Sequence, residues 1–234
     1  MNDKMKLIAH WLDASGVRSH GVSASAVEAA LTDLLNAVSG AEEELEESTL
    51  YRYPVPMLSE DGSCSIIEEL FPTPYDLSLI LGGVTVDNTR KLRLIHRLVD
   101  RATAVTGAGW LGIYQRRTNA LGDAVLVKLA YRGRPSRAEF PLTEDFARSS
   151  TNSTVGLTGQ AKVIDDVSAY LSQGGGFYVC DTAVQSEACL PILSPAGDRV
   201  LGILDAEAEP KRFFTAERVA VLAAACLMAP SLLP

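Results

Sequence analysis

Apolar residues recur at helical spacing in four stretches of the chain. Residues 4–13 (KMKLIAHWLD) pattern as a short amphipathic helix. A second helix starts near Ser25, with Val27, Leu31, Leu34, Leu35 and Val38 on one face and Gly40 as a natural stop. That face predicts packing against a core or a second copy of the chain. A third helix runs from Asp87 towards Gly107, where Leu92, Ile95, Val99 and Ala102 form the apolar stripe. The last, AERVAVLAAACLMA, can be capped by Thr215. It is apolar on nearly every face, so both sides should be buried, and a homodimer partner is one way to bury them.

Between the last two helices the period shortens to that of strands. Strand-like runs fall at 109–117, 124–131, 137–142, 162–167, 188–194 and 199–207. The final two are joined by Pro195-Ala196-Gly197-Asp198, a hairpin turn. A polar stretch, 143–154, reads as a loop or insertion holding one helical turn, followed by a short helix near 155–161 and, further on, the Gly-rich loop QGGGF. The order is helix, three strands, short helices, three strands, helix. It predicts an α+β domain over 87–234, with an antiparallel sheet, flanking helices and a pocket between one sheet face and its loops. Residues 1–86 form a helical and irregular N-terminal extension. Within it, AEEELEES (41–48) reads as a solvated acidic helix or linker. Prolines at 54, 56, 72 and 74 and glycines at 62, 82 and 83 break any period across 51–86, a segment that either wraps the following domain or carries something regulatory.

Composition narrows the function classes. The chain has 234 residues, is 47% hydrophobic and 21% charged, and carries a net charge of -8. An acidic protein gains nothing from phosphate contacts, so nucleic acid is not an expected partner. No apolar run approaches the ~20 residues that cross a bilayer, and the N-terminus lacks signal-peptide features, so a cytoplasmic, reducing location is expected. Cys64, Cys180, Cys189 and Cys226 form no CxxC pair, and the only histidines are His10, His20 and His96. No metal site is expected from such spacing.

Candidate chemistry concentrates in VCDTAVQSEACLPILSPAGDRVLGILDAEAE. Cys180 is followed by Asp181. Glu187 precedes an apolar strand, and Asp205 and Glu207 lie two apart at the end of the next strand, on one face. A normal hairpin register brings Glu187 near them. Three carboxylates around one concavity suit a ligand with an amino group, and their crowding raises at least one carboxyl pKa. The bland alternatives are an inert core thiol and acids solvated at strand ends.

The ordered set of motifs resembles the free methionine-(R)-sulfoxide reductases, a branch of the GAF domains, across about 90–230. A thiol-Asp pair, a Ser-Glu pair and a strand-borne proline are matched by Cys180, Asp181, Ser186, Glu187 and Pro191. A Gly-x-Leu-Asp-x-acid strand is matched by Gly202, Leu204, Asp205 and Glu207, and a Trp-x-Gly-x-Tyr strand by Trp110, Gly112 and Tyr114. Asp166 and Val167 match the Asp-Val that precedes the active-site loop. The resemblance implies a GAF-type fold and a pocket for an amino-acid-like ligand. Trp110 and Tyr114 would wall in a methyl group, and Glu187, Asp205 and Glu207 would hold the ammonium and protonate the leaving oxygen. Backbone amides near Gly174–Gly176 or at 155–159 would meet the ligand carboxylate. Cys180 would attack the sulfur, become a sulfenic acid and release methionine, with no cofactor beyond an external thiol reductant.

The departures are specific. Where the family carries two further cysteines, this chain has Gly133-Arg134-Pro135-Ser136 leading to Arg137, and Leu157-Thr158-Gly159. Resolution by an internal disulfide is therefore lost; Cys189 could stand in, but it sits on a strand, where a buried, small apolar role is expected. These losses keep a second reading open: a non-catalytic sensor that signals through its N-terminal segment or a dimer interface. A cyclic-nucleotide pocket ranks behind both, because three inward acids repel phosphate and Arg137 is the only basic residue to set against them.

Overall fold

The computed structural model describes residues 3–40, 45–58, 69–178 and 181–234. The N-terminal helices are α1 (Asp3–Ala14), α2 (Ala24–Ser39) and the single turn α3 (Glu47–Tyr51). The two-residue strands β1 (Arg52–Tyr53) and β2 (Tyr75–Asp76) follow, then the turn α4 (Ser78–Leu81) and the long helix α5 (Val86–Thr106). The caps follow the residues that allow them. Ser23 and Thr85 accept N–H bonds at the starts of α2 and α5, and Gly107 ends α5 in the left-handed region.

The rest of the chain comprises β3 (Trp110–Thr118), β4 (Ala124–Arg132), β5 (Glu139–Pro141), α6 (Glu144–Ala147), α7 (Thr151–Thr158), β6 (Lys162–Ile164), α8 (Val167–Ser172), β7 (Ser186–Leu193), β8 (Val200–Ala208) and α9 (Ala216–Met228). Six strands form one antiparallel sheet in the order β5-β4-β3-β8-β7-β6. The expected α+β architecture is the observed one. The polar stretch 143–154 departs from its reading: it holds all of α6 and the first half of α7, each started by a side-chain cap, Thr143 and Ser150.

One sheet face packs on α5 and α9, and α1 and α2 close over α9 from the far side. Leu12, Leu34 and Leu222 are fully buried in the same cluster, and cutting any one to Ala costs about 2–5 kcal/mol. The apolarity of α9 is therefore satisfied within one chain. Its faces meet α2, α5 and the sheet, so the observation that suggested a partner subunit has an intramolecular cause. On α2, Val27, Leu34 and Val38 are buried, whereas Leu35 stays half exposed.

The segment read as least regular wraps the domain. Its β1–β2 pairing continues outward through Met57 N–H to Glu69 O (2.9 Å) and Phe71 N–H to Val55 O (2.8 Å), giving an antiparallel ribbon. Tyr53 anchors the ribbon by donating to Lys128 O of β4 at 2.7 Å. Of the acidic run 41–48, residues 41–44 lie outside the described residues, as do Cys64 and Cys180.

Candidate functional site

All eight residues of β7 are buried, because helices cover one sheet face and α7 with its neighbouring loops covers the other. Hydrophobic residues explain most of that strand; Glu187 does not. It pairs with Glu207 of β8, and Cys189 pairs with Asp205, so all four share a face. Across β8 from Asp205 and Glu207 stand Gly112 and Trp110 of β3. The acids thus sit at the floor of a cavity of about 440 Å³, walled by Trp110, Tyr114, Phe140 and Tyr178.

Glu187 and Asp205 are each only 2% exposed. The first turn of α7 supplies their donors: Thr151 Oγ1 donates to Glu187 Oε1 (2.5 Å) and Asn152 Nδ2 to Asp205 Oδ2 (3.2 Å). Burial pushes Glu187 well above the usual carboxyl range, reinforced by Asp205 and opposed by Thr151. Burial also pushes Asp205 up to about 6, against the hydrogen bond from Asn152. With Glu187 protonated, its hydroxyl can donate to Asp205 and the pair shares one proton. With both ionised, Glu187 Oε2, Asp205 Oδ1 and Asn152 Oδ1 are buried acceptors with no donor among the described residues. Such a trio stays unsatisfied until a proton or a multidentate donor enters.

The Trp-x-Gly-x-Tyr spacing has a steric reason. A Cβ at Gly112 would lie 2.4 Å from the Trp110 ring, so only glycine lets the indole fold along its own strand. The Trp110 indole N–H donates to Arg134 O at 3.0 Å, and the ring lies 6.3 Å from that of Tyr114. Tyr114 meets Phe140 edge-on, and Phe140 meets Tyr178, continuing the wall.

Of the residues singled out from the sequence, Trp110, Tyr114, Glu187, Asp205 and Glu207 come together here, while Cys180 lies outside the described residues. Asp181, its neighbour, lines the cavity and pairs with Arg134 at 3.5 Å. Several expectations are corrected. The amides at 155–159 and Gly174–Gly176 do not line the cavity; Arg134 does. Arg137 bonds Tyr178 Oη and Glu139 O and stacks on Phe146, outside the lining. Cys189, in contrast, is fully buried as its strand position led us to expect, and burial and the adjacent acids push its thiol well up. Asp166 caps α8 and pairs with Lys211, a structural role. Sequence reading missed Thr151 and Asn152, in the first turn of α7, and also Pro56 and Leu70, which line the cavity from the N-terminal ribbon.

Residues 92–229 match the GAF domain model, and the chain belongs to the GAF domain family. No curated protein matches the sequence significantly. Among solved structures, the fold is similar to that of the type II free methionine-R-sulfoxide reductase from Thermoplasma acidophilum, with 18% identity and a TM-score of 0.53 over 62% of this chain and 94% of that one. It is also similar to the free methionine-R-sulfoxide reductase from Neisseria meningitidis in complex with its substrate (19% identity, TM-score 0.45, 64% and 93% covered). The GAF domain from an Acinetobacter phosphoenolpyruvate-protein phosphotransferase gives 12% identity and a TM-score of 0.48 (61% and 80% covered). Among the described residues, no helix is long and apolar enough to cross a membrane.

Proposed function

We propose that this GAF domain binds a small amino compound of the size and polarity of free methionine sulfoxide, with its ammonium on the acid floor. The observation that carries the reading is the trio of buried acceptors, Glu187 Oε2, Asp205 Oδ1 and Asn152 Oδ1. A primary ammonium has three N–H donors and a charge that both carboxylates favour. The cavity volume, about 440 Å³, lies in the range of small-ligand sites, and the aromatic wall suits an apolar end.

Reduction of the sulfoxide through Cys180 is the finer reading, favoured by the place of its sequence neighbour Asp181 in the cavity lining. In that reaction the thiolate attacks sulfur, the S–O bond breaks, and the oxygen passes to Cys180 as a sulfenic acid while methionine leaves. An external dithiol then reduces the sulfenic acid, releasing water and leaving as a disulfide. Without that step the pocket is a sensor. Racemic methionine sulfoxide and dithiothreitol separate the cases. Loss of the R epimer that disappears in Cys180→Ser marks an enzyme. A ligand-induced rise in melting temperature without turnover marks a sensor. The absence of both turnover and a melting shift would sink the amino-ligand reading.

A further inference from the structure

Lys128 is completely buried, and nothing in the reading above uses it. A buried ammonium persists only when its donors and charge are met. Here Nζ donates to Ser136 O (2.7 Å) and Ser136 Oγ (2.9 Å), and it lies 4.1 Å from the ring centre of Tyr131 and 5.1 Å from that of Tyr53. Those partners belong to three separate pieces. Tyr131 is on β4 and stacks on the cavity residue Trp110 (6.2 Å). Ser136 is in the loop whose residues Arg134, Pro135 and Ser136 line the cavity. Tyr53 is on the N-terminal ribbon, donates back to Lys128 O, and carries Tyr75 stacked at 5.4 Å. Tyr75 in turn donates to Glu139 of β5. Further along the same ribbon, Pro56 and Leu70 face each other across its two arms, and both line the cavity.

We infer that the N-terminal ribbon is a wall of the ligand site and that Lys128 is the positioning residue that latches it to the pocket loop. The wall meets the apolar end of a ligand whose ammonium sits at Glu187 and Asp205, and in that respect it rests on the reading above. The latch does not. A ligand bound between Pro56 and Leu70 on one side and Arg134, Pro135 and Ser136 on the other would hold the ribbon and the loop together.

Hydrogen exchange on the full chain tests the latch without any ligand, because local opening sets amide exchange. Lys128→Met keeps the packing volume and removes the charge and the donors to Ser136. Exchange in residues 52–58, 69–76 and 133–137 should rise by about tenfold or more while α2 and α9 stay protected, and Ser136→Ala, which removes one of the two Nζ acceptors, should raise it in the same segments by less. Unchanged exchange in Lys128→Met overturns the latch, and so does a rise spread evenly over the whole chain.

Methionine sulfoxide is the probe for the wall. It should slow exchange of the ribbon amides, and Leu70→Asp, at a half-exposed position, should weaken its affinity by about tenfold or more without lowering the melting temperature. Protection at β7 and β8 with an unaltered ribbon, or full affinity in Leu70→Asp, overturns the wall. No binding to the wild-type protein removes the amino-ligand reading instead, and the exchange comparison then decides the latch by itself.

Discussion

Glu187 and Asp205 stand diagonally across the β7–β8 ladder on the cavity face, one pair apart, and each raises or lowers the proton affinity of the other. Two carboxyls this buried cannot both ionise cheaply without a cation between them. In the empty pocket a proton plays that part. In the proposed complex an ammonium would take its place, which would make binding and proton release one event.

Ligand affinity should therefore rise with pH. Asp205 is pushed up to about 6 and Glu187 well above the usual range in the free protein, and a bound ammonium favours the ionised form of both. Affinity for methionine sulfoxide is expected to climb through about pH 6 and to keep climbing above it until the ligand amine itself deprotonates. Calorimetry at pH 7 in two buffers of different ionisation heat reads the protons released. Equal heats in both buffers would show that no proton leaves, and would sink the exchange of proton for ammonium.

The same groups set a stability trend of opposite sign. A carboxyl whose pKa is raised by folding contributes stability below its unfolded value, and that contribution is lost as pH rises through the folded one. For Asp205 the window runs from about 4 to about 6, worth about 3 kcal/mol at most. Asp205→Asn keeps an acceptor for Asn152 and removes the charge. It should match the wild type near pH 4 and exceed it by about 1–3 kcal/mol at pH 8, while losing ligand binding. Denaturant midpoints at the two pH values check this, and a variant that is less stable at pH 8 would contradict it.

Much of this was legible in the sequence. Glu187, Asp205 and Glu207 converge because strand alternation and a short hairpin leave few registers, whereas Trp110 and Tyr114 were marked by the resemblance to a Trp-x-Gly-x-Tyr strand, which the structure places beside them on β3. Thr151 and Asn152 were not legible. Short polar residues usually face water, and nothing local says that the first turn of α7 points its side chains at buried acids. The ribbon escaped for another reason. Tyr53 and Tyr75 lie on two-residue strands too short to carry a period, and nothing in the strand pattern around Lys128 marks it as the buried partner of Tyr53. For α9, the apolar pattern showed that both faces are covered, but periodicity cannot say whether the cover comes from the same chain.

Asn152 tests whether α7 tunes the floor or merely fills space. Its amide is a donor to Asp205 (3.2 Å) and holds that carboxyl lower than burial alone would. Asn152→Ala should shift the affinity profile to higher pH and weaken binding at pH 7 by about tenfold or more, the effect of a lost hydrogen bond to a charged group. A fall in melting temperature with an unmoved pH midpoint would assign Asn152 to packing alone.

Gly202 offers a steric test of the aromatic wall. It pairs with Gln115, and a Cβ there would lie 2.1 Å from Tyr114 O and 3.1 Å from Gln115 Cα. Backbone cannot yield as a side chain can, so Gly202→Ala must push β3 and β8 apart where Tyr114 is held. The expected cost is about 1–3 kcal/mol or more, with weakened ligand binding. Gly122, in the β3–β4 turn, provides the comparison. Its φ is +89°, but a Cβ there meets nothing within 4 Å. Gly122→Ala should cost about 1–2 kcal/mol of backbone strain and leave affinity unchanged. Thermal melts and calorimetry on both variants separate strain from displacement. If Gly202→Ala binds as tightly as Gly122→Ala, the position of Tyr114 does not control the site, and the wall must be carried by Trp110 and Phe140.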